Sequence, residues 1–250
     1  MNVKKKYDVL IIGGGISACV FASNYQKFNL GRKIAIVEAG RQLGGRSSTR
    51  ISRKFKGWQL NHGSPNLNIC NSQNNQLLHD FIEVLLNKKF IKYDESDMIK
   101  LSNEDNLVSN NTNYFFNGYN FVPSSSMSDL CREIISLNEL IDQIDFYFEH
   151  LIVDLEFSNN QWTLISQNGF KFQCQHLVCS SNLLLHKRSI SILKKKEIPF
   201  RKAIPINQDK KIDSLLNILE KQSFIPRLSL LIYTKANYRY KDDYSKKYRY

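Results

Sequence analysis

The sequence predicts an α/β chain that opens on a βαβ unit, and three observations predict it. Tyr7–Ile12 is a short apolar run rich in β-branched residues, and glycines end it at once. Ser17–Asn29 has helical spacing, with Ala18, Phe21, Ala22, Tyr25 and Phe28 near one face. Lys33–Glu38 is a second apolar run. Two such runs read as buried parallel strands. Strand, helix and strand together fill about 30 residues, the size of a Rossmann-like unit.

The later elements are read in order. Residues 40–70 hold Gly40, Gly44, Gly45, Gly57 and Gly63 and read as loop with short extended pieces. Gln76–Leu86 carries Leu78, Phe81, Ile82 and Leu85 at helical spacing. Residues 90–122 are Asn-rich, with aromatic strands such as Asn113–Phe116. Met127–Ser136 is expected to be helical. Strands are expected at Leu151–Phe157, Trp162–Ser166 and His176–Cys179, with Asn159-Asn160 as a turn between the first two. A helix at Ile212–Leu219 and a strand at Leu228–Tyr233 complete the reading.

The loop behind the first strand reads Gly13-Gly14-Gly15-Ile16-Ser17-Ala18 and fits the dinucleotide pattern G-x-G-x-x-G/A. Gly13 serves the tight turn. Gly15 lets the backbone approach a pyrophosphate, where a Cβ would collide. Ala18 keeps the helix close to the sheet. The helix start, Ile16 and Ser17, offers backbone N–H groups and the positive end of the helix dipole to the phosphates. Glu38 ends the second strand 20 residues after Ala18, and its carboxylate suits the two hydroxyls of an adenosine ribose. A 2′-phosphate would be repelled there. The βαβ unit alone does not choose between NAD and FAD.

The next stretch makes that choice. Glu38-Ala39-Gly40-Arg41-Gln42-Leu43-Gly44-Gly45-Arg46 resembles the E-x-x-x-R-x-G-G-R segment of flavin amine oxidases. The resemblance implies FAD as cofactor, with Gly44, Gly45 and Arg46 beside its pyrophosphate and Ala39 among the residues that bind it. Leu60-Asn61-His62-Gly63-Ser64 resembles the family's segment near the flavin ring. There His62 either hydrogen-bonds the flavin or packs in the loop, and main-chain contacts from His62 and Gly63 are expected. Asn61 stands where that pattern often has an acid, and Ser126 replaces a glycine of the V-x-P-x-G-M-S stretch. Residues 146–155 resemble the strand that meets adenine, with Val153 chosen for the contact, and residues 176–182 resemble the closing strand. Order and spacing are most similar to the renalase family. That resemblance implies an oxidoreductase in which FAD takes a hydride from a small reduced substrate, a dihydronicotinamide nucleotide or an amine, and oxygen reoxidises it.

The family's C-terminal Gly-Asp segment has no counterpart, since no glycine follows Gly169. The expected fold is therefore a C-terminally truncated, Rossmann-like FAD-binding domain of the glutathione-reductase/amine-oxidase type, with an interleaved α+β substrate domain. Residues 1–70 and 123–182 are assigned to the first, and 71–122 and 183–250 to the second. A non-catalytic FAD-binding remnant, or half of a split flavoenzyme needing a partner chain, is the rival reading. No catalytic side chain is named; His79, His150 and His186 are read as packed or solvated.

Composition narrows the classes further. Five scattered cysteines without a CxxC pair argue against a disulfide framework and a metal site, and for a reducing cytoplasm. The net charge of +12 is spread along the chain without a recognition motif, so neither nucleic acid nor membrane is expected as a partner. No apolar run approaches the ~20 residues that span a bilayer. The oligomeric state is left open.

Overall fold

A computed structural model describes residues 4–69, 75–94, 100–101, 107–108, 118–139 and 141–223. The expected strands at Asn113–Phe116 and Leu228–Tyr233 lie outside these residues. β1 (Lys4–Ile12), α1 (Ile16–Phe28) and β2 (Ile34–Val37) form the opening unit. A hairpin of β3 (Thr49–Ile51) and β4 (Gln59–Asn61) follows. Next come β5 (Leu67–Ile69), α2 (Gln76–Asn87), β6 (Ile91–Tyr93), β7 (Lys100–Leu101), β8 (Leu107–Val108) and β9 (Tyr119–Pro123). α3 (Met127–Ser136), β10 (Ile144–Tyr147), β11 (Ile152–Ser158), β12 (Gln161–Ser166) and β13 (Lys171–Cys179) precede the helices α4 (Arg188–Ile192), α5 (Pro199–Ala203) and α6 (Lys210–Glu220).

The main sheet has six strands in the order β10-β2-β1-β13-β12-β11. The first four run parallel, and β12 and β11 continue as an antiparallel meander. Parallel strands are buried on both faces, which explains the unbroken apolar runs in β1 and β2. Val9, Ile11, Ile34 and Ile36 face a core shared with α1 and α3, while Leu10, Ile12, Ala35 and Val37 face a second core with Leu155, Leu164 and Phe172. α2 and β9 bury Leu85 and Phe121 in the first of these cores. A smaller sheet of order β5-β9-β6 adjoins it.

Register positions the site. Ile12 pairs with Val37 and with Cys179, and Val37 pairs with Tyr147. The four parallel strands therefore end level, and the loops after them gather on one edge of the sheet, where open α/β sheets bind ligands.

Two elements differ from expectation. α1 packs on the sheet with its small residues, Ala18, Cys19 and Ala22, so that the helix lies close to the strands, and Phe28 is exposed. Phe21 and Tyr25 stack on each other at the flank, with centroids 5.6 Å apart. β10 was not anticipated as a strand, because Asp145 interrupts its apolar pattern. Its carboxylate accepts a hydrogen bond from the buried Tyr7 hydroxyl at 2.5 Å, which ties β10 to β1 across β2. Burial, then the contacts with Asp145 and Tyr147, push the Tyr7 pKa up and keep the phenol protonated. The Asn159-Asn160 turn is as expected: both residues have positive φ, 51° and 56°, the geometry of a two-residue hairpin turn.

Candidate functional site: a glycine cradle at the sheet edge

The loop after β1 is held by strand ends on both sides. Gly13, at φ 97°, donates its amide to the Val37 carbonyl at 2.9 Å. A Cβ there would lie 2.8 Å from Ser180 Oγ, and a Cβ on Gly14 would lie 2.8 Å from a Leu43 methyl. Gly15 differs from both. Its backbone is ordinary, φ −79° and ψ 177°, and a Cβ would meet no protein atom nearer than the Gly44 carbonyl at 3.9 Å. Nothing among the described residues requires glycine at 15. The requirement fits a bound group pressed against the backbone, as a pyrophosphate would be.

Gly15 is also the N-cap of α1, and no side chain caps that helix. Its first turn, Ile16, Ser17 and Ala18, carries no acid, so the positive end of its dipole stays available to an anion. Ala18 is fully buried. The N-terminus of α3 contrasts with this. Ser126 Oγ accepts from the Asp129 amide, Asn61 Oδ1 from the Met127 amide and Thr49 Oγ1 from the Ser128 amide. Three side chains have taken the donors that an anion would use.

Glu38 stands beside the loop. Its two carboxylate oxygens accept the amides of Gly14 and Gly40, each at 2.6 Å. Each oxygen keeps a second lone pair, so the carboxylate remains able to accept a hydroxyl. Ala39, between the two contacts, is exposed. The backbone of this loop is fixed by the turn after β10: Glu38 donates to the Tyr147 carbonyl, and Glu149 and His150 donate to the carbonyls of Gly40 and Glu38. Val153, the expected adenine contact, lies further on in β11. Tyr147, Glu149 and His150 adjoin the Glu38 loop through the backbone bonds at the end of β10. His150 packs between rings, 5.3 Å from Phe170 and 5.6 Å from Phe172.

Gly44 and Gly45 close the cradle. The Gly44 amide donates to the Gly14 carbonyl at 2.8 Å, and a Cβ on Gly45 would lie 3.2 Å from Gly15 Cα. Both have positive φ, 133° and 53°. Arg46 is exposed and makes no ion pair among the described residues, so its guanidinium is free to meet an anion. Its carbonyl accepts the Ser64 amide, and a Cβ on Gly63 would stand 2.0 Å from that oxygen. His62 packs against Ser48, with Nε2 3.2 Å from Oγ, and its Nδ1 is buried without a partner among the described residues.

The structure thus brings Gly13, Gly15, Ile16, Ser17, Ala18, Glu38, Ala39, Gly44, Gly45 and Arg46 to one sheet edge, with His62 and Gly63 next to Arg46. Residues missed from sequence are Gln42, Thr49 and Ser128, and Asn61, noted there only as standing in an acid's place, joins them. Thr49 donates its hydroxyl to Asn61 Oδ1 at 2.7 Å, and the Thr49 amide and the Gln42 side chain both donate to Ser128 Oγ. Their small polar side chains give no periodic signal. Hydrogen bonding to Cys131, then burial, holds the Cys19 pKa well above its usual value. Burial pushes Cys174 and Cys179 up to about 12. Among the described residues no His, Cys, Asp and Glu cluster is placed to hold a metal, and no helix is long and apolar enough to cross a membrane.

Comparison with known proteins agrees with this geometry. Residues 11–83 match the family model of the NAD(P)-binding Rossmann-like domain. A search of curated protein sequences finds no match. Among solved structures the chain is similar to a putrescine oxidase with putrescine bound, at 12% identity and a TM-score of 0.50 over 72% of this chain and 60% of that one. It is likewise similar to a protein of Exiguobacterium sp. 255-15 provisionally assigned as a protoporphyrinogen oxidase, at 13% identity and 0.50 over 79% and 63%. The likeness is one of fold, a dinucleotide-binding α/β sheet. The chain spans about three-fifths of the length of these oxidase structures.

Proposed function

We propose that the chain binds FAD and belongs among the FAD-dependent oxidoreductases. The observation that supports this most is the glycine at 15, which no atom of the described residues requires, at the uncapped start of α1. Gly15, Gly44 and Gly45, with the first turn of α1 and Arg46, would hold the pyrophosphate. Glu38 would accept the ribose hydroxyls and disfavour a 2′-phosphate. His62, with an unpartnered Nδ1, and Gly63 would lie toward the flavin ring. FAD supplies a hydride acceptor that oxygen can reoxidise. The protein's own part is to seat the adenosine half on the sheet edge, set charge against the phosphates and exclude water. The residues of the cofactor domain remain 1–70 and 123–182, with 71–122 and 183–250 contributing to the substrate side. The substrate is a small reduced molecule, a renalase-like dihydronicotinamide or an amine, and the setting is cytoplasmic.

The test is flavin retention. The purified chain is mixed with FAD, FMN, NAD or NADP, and the protein fraction is read for visible flavin absorbance and for a rise in melting temperature. FAD is expected to be retained, and NADP is not. A chain that takes up no FAD and is not stabilised by it sinks the reading. Anaerobic bleaching by a reduced nicotinamide, with colour returning in air, then separates an oxidase from a protein that only carries the flavin.

A further inference from the structure

The β3–β4 hairpin pairs with no other strand among the described residues. From Arg50 to Leu60 every residue but Ser52 is exposed. Four of them are large and apolar: Ile51 is 61% exposed, Leu60 44%, Trp58 42% and Phe55 39%. Phe55 and Trp58 lie with ring centroids 6.1 Å apart and make further contacts, and both still keep that much surface open. Single apolar side chains scattered over a surface need no explanation, but four gathered on one small hairpin mark an interaction site.

The same stretch carries Arg50, Arg53, Lys54 and Lys56 and no acid. None of these four cations makes an ion pair among the described residues. Lys54 lies over the Phe55 ring, its Nζ 5.6 Å from the centroid, so charge and apolar surface sit side by side. Read along the whole chain the positive charge is spread, and no membrane partner is expected from it. The fold sets four of these charges among exposed apolar groups on a single protruding element.

The hairpin holds these groups in advance. Ser52 Oγ accepts the amides of Lys54 and Phe55, and the Ser52 amide donates to the Trp58 carbonyl at 2.8 Å. At the base of the hairpin the buried Thr49 is fastened to α3 through Ser128. A turn ordered before binding loses less entropy on binding. The cleft beside the hairpin is lined by Glu38, Gly45 and His62 and belongs to the cofactor site. A surface contact made by the hairpin needs none of that space.

We propose that the β3–β4 hairpin docks the protein on an anionic lipid surface. Ile51, Phe55, Trp58 and Leu60 enter the boundary between headgroups and acyl chains, where the indole ring of Trp58 suits the interface. Arg50, Arg53, Lys54 and Lys56 meet the lipid phosphates and carboxylates. The apolar members decide between lipid and nucleic acid. Exposed Ile51 and Leu60 gain nothing from a phosphate backbone, whereas a bilayer removes them from water. No helix among the described residues is long and apolar enough to cross a membrane, so the contact is peripheral. The cytoplasmic leaflet carries the anionic lipids, which fits the cytoplasmic setting proposed above.

The experiment is co-sedimentation of the full chain with vesicles of phosphatidylserine and phosphatidylcholine at about 1:3, against vesicles of phosphatidylcholine alone. Tryptophan emission is followed in parallel. The chain is expected to sediment with the anionic vesicles only, and its emission to shift to shorter wavelength. Trp58→Phe should abolish the shift while Trp162 still emits, which places the hairpin at the lipid. The triple variant Arg53→Glu, Lys54→Glu, Lys56→Glu should bind the anionic vesicles about tenfold or more weakly, with its melting temperature unchanged. Raising sodium chloride from about 0.1 M to 1 M should release the parent chain. Equal binding to both vesicles, no binding at all, or an unweakened triple variant would overturn the proposal. So would an emission shift that survives Trp58→Phe, or tighter binding of a single-stranded oligonucleotide than of the anionic vesicles. Release from the vesicles by FAD would return the hairpin to the cofactor site and overturn it too. If the chain retains no FAD, the cofactor reading fails by itself, and vesicle binding of the FAD-free chain still decides this one.

Discussion

Among the described residues, a methyl group added at Gly15 would meet only the Gly44 carbonyl, at 3.9 Å, whereas one added at Gly63 would lie 2.0 Å from the Arg46 carbonyl. The first position is open to the site and the second is closed by the protein. Gly15→Ala should therefore melt within a few degrees of the parent chain yet lose FAD affinity by about tenfold or more. Gly63→Ala should be destabilised by about 1–3 kcal/mol through overpacking. Thermal unfolding with and without FAD separates the two, and a Gly15→Ala chain that binds FAD normally would remove the main support for the cofactor reading. At this scale the sequence was informative where backbone must approach backbone. Gly13, Gly15, Gly44, Gly45 and Glu38 stand out because glycine and a strand-terminal acid are needed at fixed spacing. Thr49 and Ser128 do not stand out, and Asn61 stands out only as a residue in an acid's place. Their role appears only when residues 66 or 79 positions apart are brought together by the fold.

The hairpin and α3 form one mechanical unit through those same residues. Ser126→Ala removes a cap and should cost about 1 kcal/mol. Asn61→Ala leaves the Met127 amide and the Thr49 hydroxyl without their acceptor and should cost about 1–2 kcal/mol. Asn61→Asp keeps the oxygen and adds charge at a helix N-terminus, so it should be neutral or mildly stabilising. Denaturant midpoints at constant slope check the series. A second tie joins β11 to α5, where Asp154 accepts from Lys202 at 2.7 Å and Lys195 at 3.5 Å. Burial raises the Asp154 pKa, but Lys202, the Leu155 amide and Lys195 together outweigh it and hold the carboxyl below its usual value. A carboxyl depressed in the folded state stabilises above its unfolded pKa of about 3.9, and the effect fades as pH falls through the folded value. Asp154→Asn should thus lower stability by about 1 kcal/mol at neutral pH. The gap should close as the pH falls below the unfolded value and through the lower folded one, and a gap that stays constant with pH would contradict the tie. Among elements, α3 was legible to the residue because its apolar spacing and Ser cap agree. β10 was not, since four residues with an acid among them carry too little pattern. β13 begins at Lys171, well before its apolar end at His176–Cys179, because the first half alternates polar and apolar residues.

Over the whole molecule, 35 basic residues face 23 acidic ones, and the excess is a self-repulsion spread along the chain. Raising sodium chloride from about 0.1 M to 1 M shortens the Debye length from ~10 Å to ~3 Å. The melting temperature should rise across that range, and a fall would mean that attractive pairs dominate. The architecture has a consequence in time as well. β1 sits in the middle of the sheet, yet one of its two neighbours is β13, and Ser180, which closes over Gly13, is bonded to a residue 168 positions earlier. At about 5–20 residues per second of synthesis, the first strand waits roughly 10–30 s for that partner. During the wait the opening βαβ unit has an unpaired edge and no finished glycine cradle. The cradle can be completed only once the chain has emerged past Ser180, so a ligand that sits there acts after that point and cannot template the folding of the opening βαβ unit.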